Sequence, residues 1–254
     1  DLLMSVQGME LFKERFADFP DRYALIGGSA CDLIFASRGL QFRRTKDLDI
    51  VILADRPAKD FAQTLWAFIG DGGYTCGWRN DNDVHFYRFT EPTDNAYPHM
   101  IELFARHPDF PLHNEDSEIG PLPLDEDVSS LSAILLNDAY YNFLTSGLDK
   151  VDGISIVDAA HIIPLKARAH IDLNDRKRNG QHVNSADLKK HKKDVMRLIA
   201  FVPAETHISL DPQIARDMQR FVAEMREENM RVDQLDIGMT LEQALDILEV
   251  IYKL

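Results

Sequence analysis

The chain is poor in cysteine and contains no long apolar run. Its two cysteines, Cys31 and Cys76, have neither the spacing of a zinc motif nor that of a disulfide scaffold. No apolar stretch approaches the roughly 20 residues that a membrane-spanning helix needs. The first residues also lack the basic flank and apolar stretch of a signal peptide. We therefore expect a cytoplasmic protein with reduced cysteines and no membrane partner.

Positive charge is also scarce. The 254 residues carry 28 Lys and Arg against 42 Asp and Glu, a formal net charge of −14. This balance excludes a protein that coats nucleic acid, because phosphate binding requires clustered cations. Residues 166–197 are the exception, since ten basic and four acidic residues give this block a charge of +6. The block indicates either an anion-facing surface or a solvated helical face, and the role of its regularly spaced Lys189, Lys193 and Arg197 stays open.

Helix and strand patterns alternate in the first half of the chain. The apolar run at residues 23–26 stops at Gly27 and Gly28, which predicts a buried strand followed by a tight turn. Ser29 is predicted to cap a helix that reaches about Ser37. Further strands are predicted at residues 48–53, 74–78, 84–89 and 99–104.

The second half is predicted to be mostly helical. Residues 106–127 are rich in Pro, Asp and Glu and indicate a surface loop, and a strand is expected at residues 131–136. Helices follow at residues 160–177, 185–201 and 211–228, and a last helix begins with a capping box at Thr240. The expected fold class is α/β (α+β): a small mixed sheet flanked by helices forms a catalytic domain at residues 1–127. A mainly helical domain at residues 128–254 completes the cleft.

Three acidic residues have the pattern of a metal site. Asp47 and Asp49 stand at the start of a strand, where residues i and i+2 point to the same face. Two carboxylates that close repel each other unless a cation lies between them, and oxygen ligands favour Mg²⁺ or Mn²⁺. Glu102 lies among apolar residues of another strand, where an unpaired carboxylate would be costly. The alternatives are a surface pair in an acid-rich chain and a Glu102 that points to solvent.

The glycine turn at Gly27, Gly28 and Ser29 precedes this acidic pair. Glycines allow a phosphate to approach the backbone, and a helix N-terminus offers free N–H groups. A glycine turn alone is common between strands and helices. Its combination with the Asp47–Asp49 pair is much rarer and indicates a phosphate-binding turn next to a metal site.

These strings resemble a known superfamily. GGSA followed by RRTKDLDIVI resembles the nucleotidyltransferases, which share a GG[ST] turn, a DxD/E pair and a third acid on a strand. The wider pattern, with Arg44 before the T/S-x-D-x-D run, is similar to AbiEii/AbiGii-type nucleotidyltransferases, toxins of type IV toxin–antitoxin systems. The segments that begin at Ile163, Leu173 and Lys190 extend the similarity to about residues 20–200. The separation of Ser29 from Asp47 exceeds that of the smallest family members and leaves the role of residues 43–46 open.

The resemblance implies a role for each candidate residue. Asp47, Asp49 and Glu102 would be the catalytic and metal-binding residues, with Mg²⁺ or Mn²⁺ as the cofactor. Nucleotide-binding residues would be Gly27, Gly28, Ser29, Lys166 and Lys190. Four histidines (His85, His99, His107 and His113) match no zinc motif and are predicted to lie on the surface.

Three functions are compatible with these residues. The first is an enzyme, a metal-dependent nucleotidyltransferase of toxin type that moves an NMP from an NTP to a hydroxyl, with tRNA or another RNA as candidate acceptor and a cognate antitoxin as candidate partner. The second is an enzyme of the same fold that acts on a small molecule such as an antibiotic. The third is a non-catalytic nucleotide-binding regulatory protein. Three convergent carboxylates argue against the third, and the basic block favours RNA over a small acceptor.

Overall fold

The computed structural model describes residues 6–53, 59–81, 84–105, 120–121, 134–135 and 137–254, with only the backbone of residues 76–81, 84–86, 105 and 120–121. The chain forms two compact units. The first comprises Asp1–Glu126 and Leu148–Val157, and the second comprises Asp127–Gly147 and Asp158–Leu254. The segment Leu148–Val157 lies beyond the domain boundary predicted at residue 127, yet it belongs to the first unit.

The first unit is built on one mixed sheet. Its helices are α1 (Met9–Arg15), α2 (Gly27–Ala36) and α3 (Lys59–Gly72). Its strands are β1 (Tyr23–Leu25), β2 (Asp47–Ile52), β3 (Thr75–Asp81), β4 (Val84–Thr90), β5 (Met100–Ala105), β6 (Gly120–Pro121), β7 (Leu148–Val151) and β8 (Ile154–Val157). The strand order is β6-β3-β4-β5-β2-β1-β8-β7. β2 pairs antiparallel with β1 and parallel with β5, so the predicted mixed sheet flanked by helices is confirmed.

The sheet is larger than predicted because the second half of the chain adds β7 and β8. These two strands form an antiparallel hairpin, and β8 runs parallel to β1. The turn between them contains Asp152 and Gly153, both at positive φ (51° and 81°). Asp-Gly between two strand-like runs is a strong hairpin signal. The second half is mainly helical, as predicted, but the prediction missed this hairpin at a place where the local sequence carried the signal.

One face of the sheet carries the apolar core of the first unit. Tyr23 of β1 packs edge-on against Phe12 of α1, with ring centroids 5.2 Å apart. Trp66 of α3 packs against Tyr87 and Phe89 of β4 at 5.8 and 5.9 Å. Because side chains alternate along a strand, residues one position away from these point to the opposite face. The helices α1 and α3 thus cover one face, and Asp47 and Asp49 lie on the other.

The second unit is helical. Its helices are α4 (Asp138–Thr145), α5 (Ala159–Arg178), α6 (Ser185–Leu198), α7 (Pro212–Glu228) and α8 (Leu241–Tyr252), with a 3₁₀ turn at Ile199–Phe201. The N-cap side chain of each helix accepts hydrogen bonds from first-turn amides, and the capping box of Thr240 and Gln243 is present. Residues 134–135 are helical, so the strand predicted there was wrong. Of the helices described in the structure, none has the length and apolar character to cross a membrane.

Candidate active site

The acidic pair stands at the start of β2 in the centre of the sheet. Asp47 and Asp49 are both half-buried, whereas the alternate residues Leu48 and Ile50 are buried in the core. In the parallel pairing of β2 with β5, Asp49 lies directly beside Glu102. The three acids therefore share one face of two neighbouring strands, as the strand periodicity predicted.

The glycine turn contacts the second aspartate of this pair. The amide of Ile26 donates a hydrogen bond of 2.9 Å to the carbonyl of Asp49, which extends the β1–β2 ladder up to the turn. Gly27 has φ +61°, and a Cβ atom placed on it would lie 2.0 Å from Asp49 Oδ2. A Cβ atom on Gly28 would lie 2.5 Å from Thr45 Oγ1. Glycine is therefore required here because the side chains that surround the acidic pair occupy the space of a Cβ atom.

The helix α2 begins earlier than the sequence suggested. It starts at Gly27 with Ile26 as the N-cap, so the prediction that Ser29 caps this helix was wrong. The fully buried Ser29 hydroxyl instead donates to the carbonyl of Ile26 at 3.0 Å. Gly27, Gly28 and Ser29 form the first helical turn, whose amide N–H groups have no carbonyl partner within an ideal α-helix. This is the type of helix end that binds phosphate.

Replacing Gly27 by alanine is predicted to disrupt the acidic pair specifically. The left-handed backbone costs alanine about 1–2 kcal/mol, and the new methyl group would displace the Asp49 carboxylate. Gly39→Ala is the matched control, because Gly39 has φ +69° with no atom within 4 Å of an added Cβ. We expect Gly27→Ala to lose at least as much stability as Gly39→Ala in urea unfolding, and only Gly27→Ala to lose nucleotide binding. Equal nucleotide affinity of the two variants would contradict a role for the Gly27–Asp49 contact.

Glu102 has a basic partner that the sequence analysis missed. Arg88 of β4 lies beside Glu102 in the antiparallel β4–β5 register. Its Nε and Nη2 atoms donate to Glu102 Oε1 at 2.9 and 2.6 Å. The Glu102 side chain is 8% exposed, so the ion pair removes the cost of burying this carboxylate. The signal was available, since Arg88 stands between two core aromatics, Tyr87 and Phe89, and therefore points to the face of the acids.

These residues fit a metal ion only in part. Asp47 and Asp49 are oxygen donors on one face of a strand, which suits Mg²⁺. Oε1 of Glu102 already accepts two hydrogen bonds from Arg88, so Glu102 as placed does not complete a three-carboxylate site. Among the described residues, no three His, Cys, Asp or Glu side chains are grouped to hold a metal ion. The geometry thus places two aspartates on one strand face and holds the third acid, Glu102, with an arginine.

Lys166 lies in the second unit, on α5, and is buried. Its side chain is 1% exposed, and its Nζ atom donates to Asp194 Oδ2 of α6 at 2.7 Å. The Asp194 side chain is 2% exposed. Asp194 therefore holds the Lys166 ammonium in place between the two helices. A charge pair so far from water is costly to form and is typically kept for a reason other than stability.

The other predicted cations of the second unit lie on the surface of α6. Lys190 pairs with Asp187 at 2.8 Å, one turn earlier on the same helix. Lys189 and Lys193 are exposed, and Arg197 is half-buried. The Lys190–Asp187 ion pair is half-exposed and contributes little to stability.

Comparison with known proteins gives distant similarities. No protein-family model matches the chain, and no curated protein is significantly similar to it in sequence. The chain is similar to an antigenic nucleotidyltransferase-like protein from Paracoccidioides brasiliensis, over 93% of this chain and 89% of that one, with 18% identity and a TM-score of 0.44. It is also similar to a cytoplasmic RNA terminal U-transferase, over 79% of this chain and 51% of that one, with 11% identity and a TM-score of 0.28. At this distance the function has to be inferred from the residues of the site itself.

Proposed function

We propose that the chain is a nucleotidyltransferase that moves an NMP from an NTP to a hydroxyl acceptor. The observation that carries the proposal is the contact between Gly27, at the start of α2, and Asp49 of the acidic pair. It brings the helix end that suits a phosphate next to the carboxylates that suit a divalent cation. Phosphoryl transfer depends mainly on such positioning and charge compensation, which makes this juxtaposition the relevant feature.

We propose Mg²⁺ or Mn²⁺ as the cofactor, held by Asp47 and Asp49. A bound divalent ion supplies charge neutralisation for the triphosphate and activation of the attacking hydroxyl. The first-turn amides of α2 bind phosphate oxygens, and Ser29 keeps this turn in place through its bond to Ile26. Lys166 and Lys190 are proposed to add positive charge to the nucleotide site. Glu102 is proposed to act as a third ligand only after its contact with Arg88 is broken.

The finer proposal is a toxin of the AbiEii type with an RNA acceptor, tRNA in particular, and a cognate antitoxin. It depends on the resemblance of residues 20–200 and on the basic block at residues 166–197. A chain with a net charge of −14 needs such a local excess of cations to approach a polynucleotide. Gene neighbourhood is the direct check on the antitoxin.

Incubation with each of the four α-labelled NTPs tests the proposal. Bulk tRNA and a panel of small hydroxyl compounds serve as acceptors, with Mg²⁺, with Mn²⁺ and with EDTA. We expect the label to appear on RNA. EDTA should lower the rate of transfer at least about a hundredfold, because metal binding supplies several kcal/mol of stabilisation. Addition of Mg²⁺ should restore the rate. Label on small compounds alone would assign the antibiotic-type function instead. Absence of both NTP binding and transfer would refute the proposal.

The contact of Arg88 with Glu102 favours a second candidate, a non-catalytic nucleotide-binding regulatory protein. In such a protein the third acid is held by an arginine rather than by a metal ion, as the 2.6 Å contact allows. This candidate predicts NTP binding with no transfer to any acceptor. Nucleotide affinity measured beside the transfer assay separates the two functions.

A further inference from the structure

A pocket with basic walls lies beside the acidic pair. It has a volume of about 440 Å³ and is lined by Gln7, Arg44, Thr45, Lys46 and His99, which we call the basic pocket. Lys46 immediately precedes Asp47, and His99 immediately precedes Met100, the residue paired with Asp47 in the β2–β5 ladder. The basic pocket therefore opens at the end of the strand pair where the first catalytic aspartate is proposed to act.

The wall around His99 is firmly held. The Gln7 side-chain amide donates to the Tyr97 carbonyl at 3.0 Å and thereby ties the segment before α1 to the turn that leads to His99. Gly8 has φ +75°, and a Cβ atom on it would lie 2.4 Å from Pro98, so the two segments are in close contact. The Tyr74 hydroxyl donates to the Pro98 carbonyl. These three separate contacts fix the segment that carries His99.

The opposite wall touches the glycine turn. A Cβ atom placed on Gly28 would lie only 2.5 Å from the Thr45 hydroxyl oxygen, so Thr45 packs closely against the first turn of α2. Residue 45 is thus shared by the basic pocket and by the helix end that is proposed to bind the triphosphate. An anion in the pocket would consequently lie next to the phosphates of a bound nucleotide.

The basic side chains of this pocket form no ion pair in the described part of the chain. Arg44, Lys46 and His99 are exposed, and no described acid forms an ion pair with any of them. Arg43 differs, because its guanidinium lies over the Phe42 ring, 5.0 Å from the centroid. The adjacent arginines therefore have different surroundings, and only Arg44 lines the pocket. In a chain with a net charge of −14, positive groups that converge on one pocket indicate an anionic ligand.

We propose that the basic pocket is a phosphoryl-binding subsite next to Asp47, with Arg44 and Lys46 as its main anion ligands. The planar guanidinium of Arg44 and the ammonium of Lys46 suit phosphate oxygens, and the Thr45 hydroxyl adds a donor. The phosphoryl group comes from the nucleotide tail or from the backbone of a polynucleotide acceptor. This proposal rests on the proposed function for its biological meaning, although its binding test does not require catalysis.

Binding of two probes to the full chain tests the subsite. One probe is a fluorescent ATP analogue with Mg²⁺, and the other is a labelled 12-nucleotide single-stranded RNA. We expect Arg44→Gln and Lys46→Gln each to lower the affinity for one of the probes about tenfold, because a hydrogen bond to a charged group contributes roughly 1.5–3 kcal/mol. Arg43→Gln and Lys59→Gln are the matched controls, since each removes one positive charge outside the pocket, and they should change both affinities less than twofold.

The probe whose affinity falls in the Arg44→Gln and Lys46→Gln variants identifies the source of the phosphoryl group. Loss of ATP analogue binding alone assigns the pocket to the nucleotide tail, and loss of RNA binding alone assigns it to the acceptor. Equal affinities of the Arg44→Gln and Arg43→Gln proteins for both probes would overturn the proposal, and so would an equal decrease in all four variants. If NMP transfer is absent from the wild-type chain but Arg44→Gln still weakens a probe, the subsite stands while the proposed function fails.

Discussion

Replacing Asp47 or Asp49 by asparagine is expected to lower NMP transfer at least about a thousandfold, equivalent to roughly 4 kcal/mol of transition-state stabilisation. Asparagine keeps the shape of the side chain but removes the charge that holds a divalent cation. Both aspartates are half-buried at the start of β2 and make no contribution to the apolar core on the other face. The activity should therefore fall without loss of the fold.

Thermal unfolding provides a readout that does not depend on turnover. In EDTA the wild type and each asparagine variant should unfold in a single cooperative transition, which shows that the fold is kept. Mg²⁺ should raise the wild-type midpoint, because a ligand that binds the folded state stabilises it, and should leave the variants unchanged. Asp18→Asn, an exposed substitution, serves as the control and should respond to Mg²⁺ like the wild type. A wild-type midpoint that does not respond to Mg²⁺ or Mn²⁺ would contradict a metal site at this pair.

Breaking the buried pair of Lys166 and Asp194 is expected to have the largest effect on stability. Lys166→Met leaves the Asp194 carboxylate, 2% exposed, without its 2.7 Å partner. Removing one member of a buried ion pair costs about 3–5 kcal/mol, because the other charge stays buried after losing the opposite charge that compensated it. Urea unfolding of the full chain should show this loss for Lys166→Met. The double variant Lys166→Met/Asp194→Leu should recover most of it, since no buried charge remains.

The same double variant also tests whether Lys166 contributes to nucleotide binding as well as to stability. If Lys166 takes part in nucleotide binding, as proposed, the double variant should be stable but bind the ATP analogue at least about tenfold more weakly, the usual effect of losing a charged hydrogen bond. Lys189→Gln, which removes an exposed lysine from the same basic block, is the control for loss of a positive charge there. Full nucleotide affinity in a stable double variant would show that the Lys166–Asp194 pair is only structural.

Much of the local structure could be predicted because its determinants are close in sequence. The run at residues 23–26 and its glycine stop predicted β1 and the turn, and the capping residues Asp211 and Thr240 marked the starts of α7 and α8. The i, i+2 spacing of Asp47 and Asp49 placed both on one strand face, as observed. These features depend on backbone periodicity and on caps, which act within a few residues.

Other features were wrong or missed because distant residues decide them. Ser29 has the residue type of an N-cap, but the pairing of Ile26 with Asp49 places the N-cap of α2 three residues earlier, at Ile26. β7 has mostly exposed side chains and gains its identity as a strand from its pairing with β8. Arg88 could be assigned to a strand, whereas its partner depends on the register between β4 and β5.

The sequence by itself therefore determined the acidic pair, the glycine turn before it and the excess of cations at residues 166–197. Residue type and short-range spacing specify these features. Only the tertiary structure decided that Gly27 contacts Asp49 and that Arg88 forms an ion pair with Glu102. It also decided that Lys166 forms a buried ion pair with Asp194, and that Arg44 and His99 line one pocket. The physical reason is that each of these contacts joins residues from different elements, and strand register and helix packing, which no local pattern encodes, set the distances between their side chains.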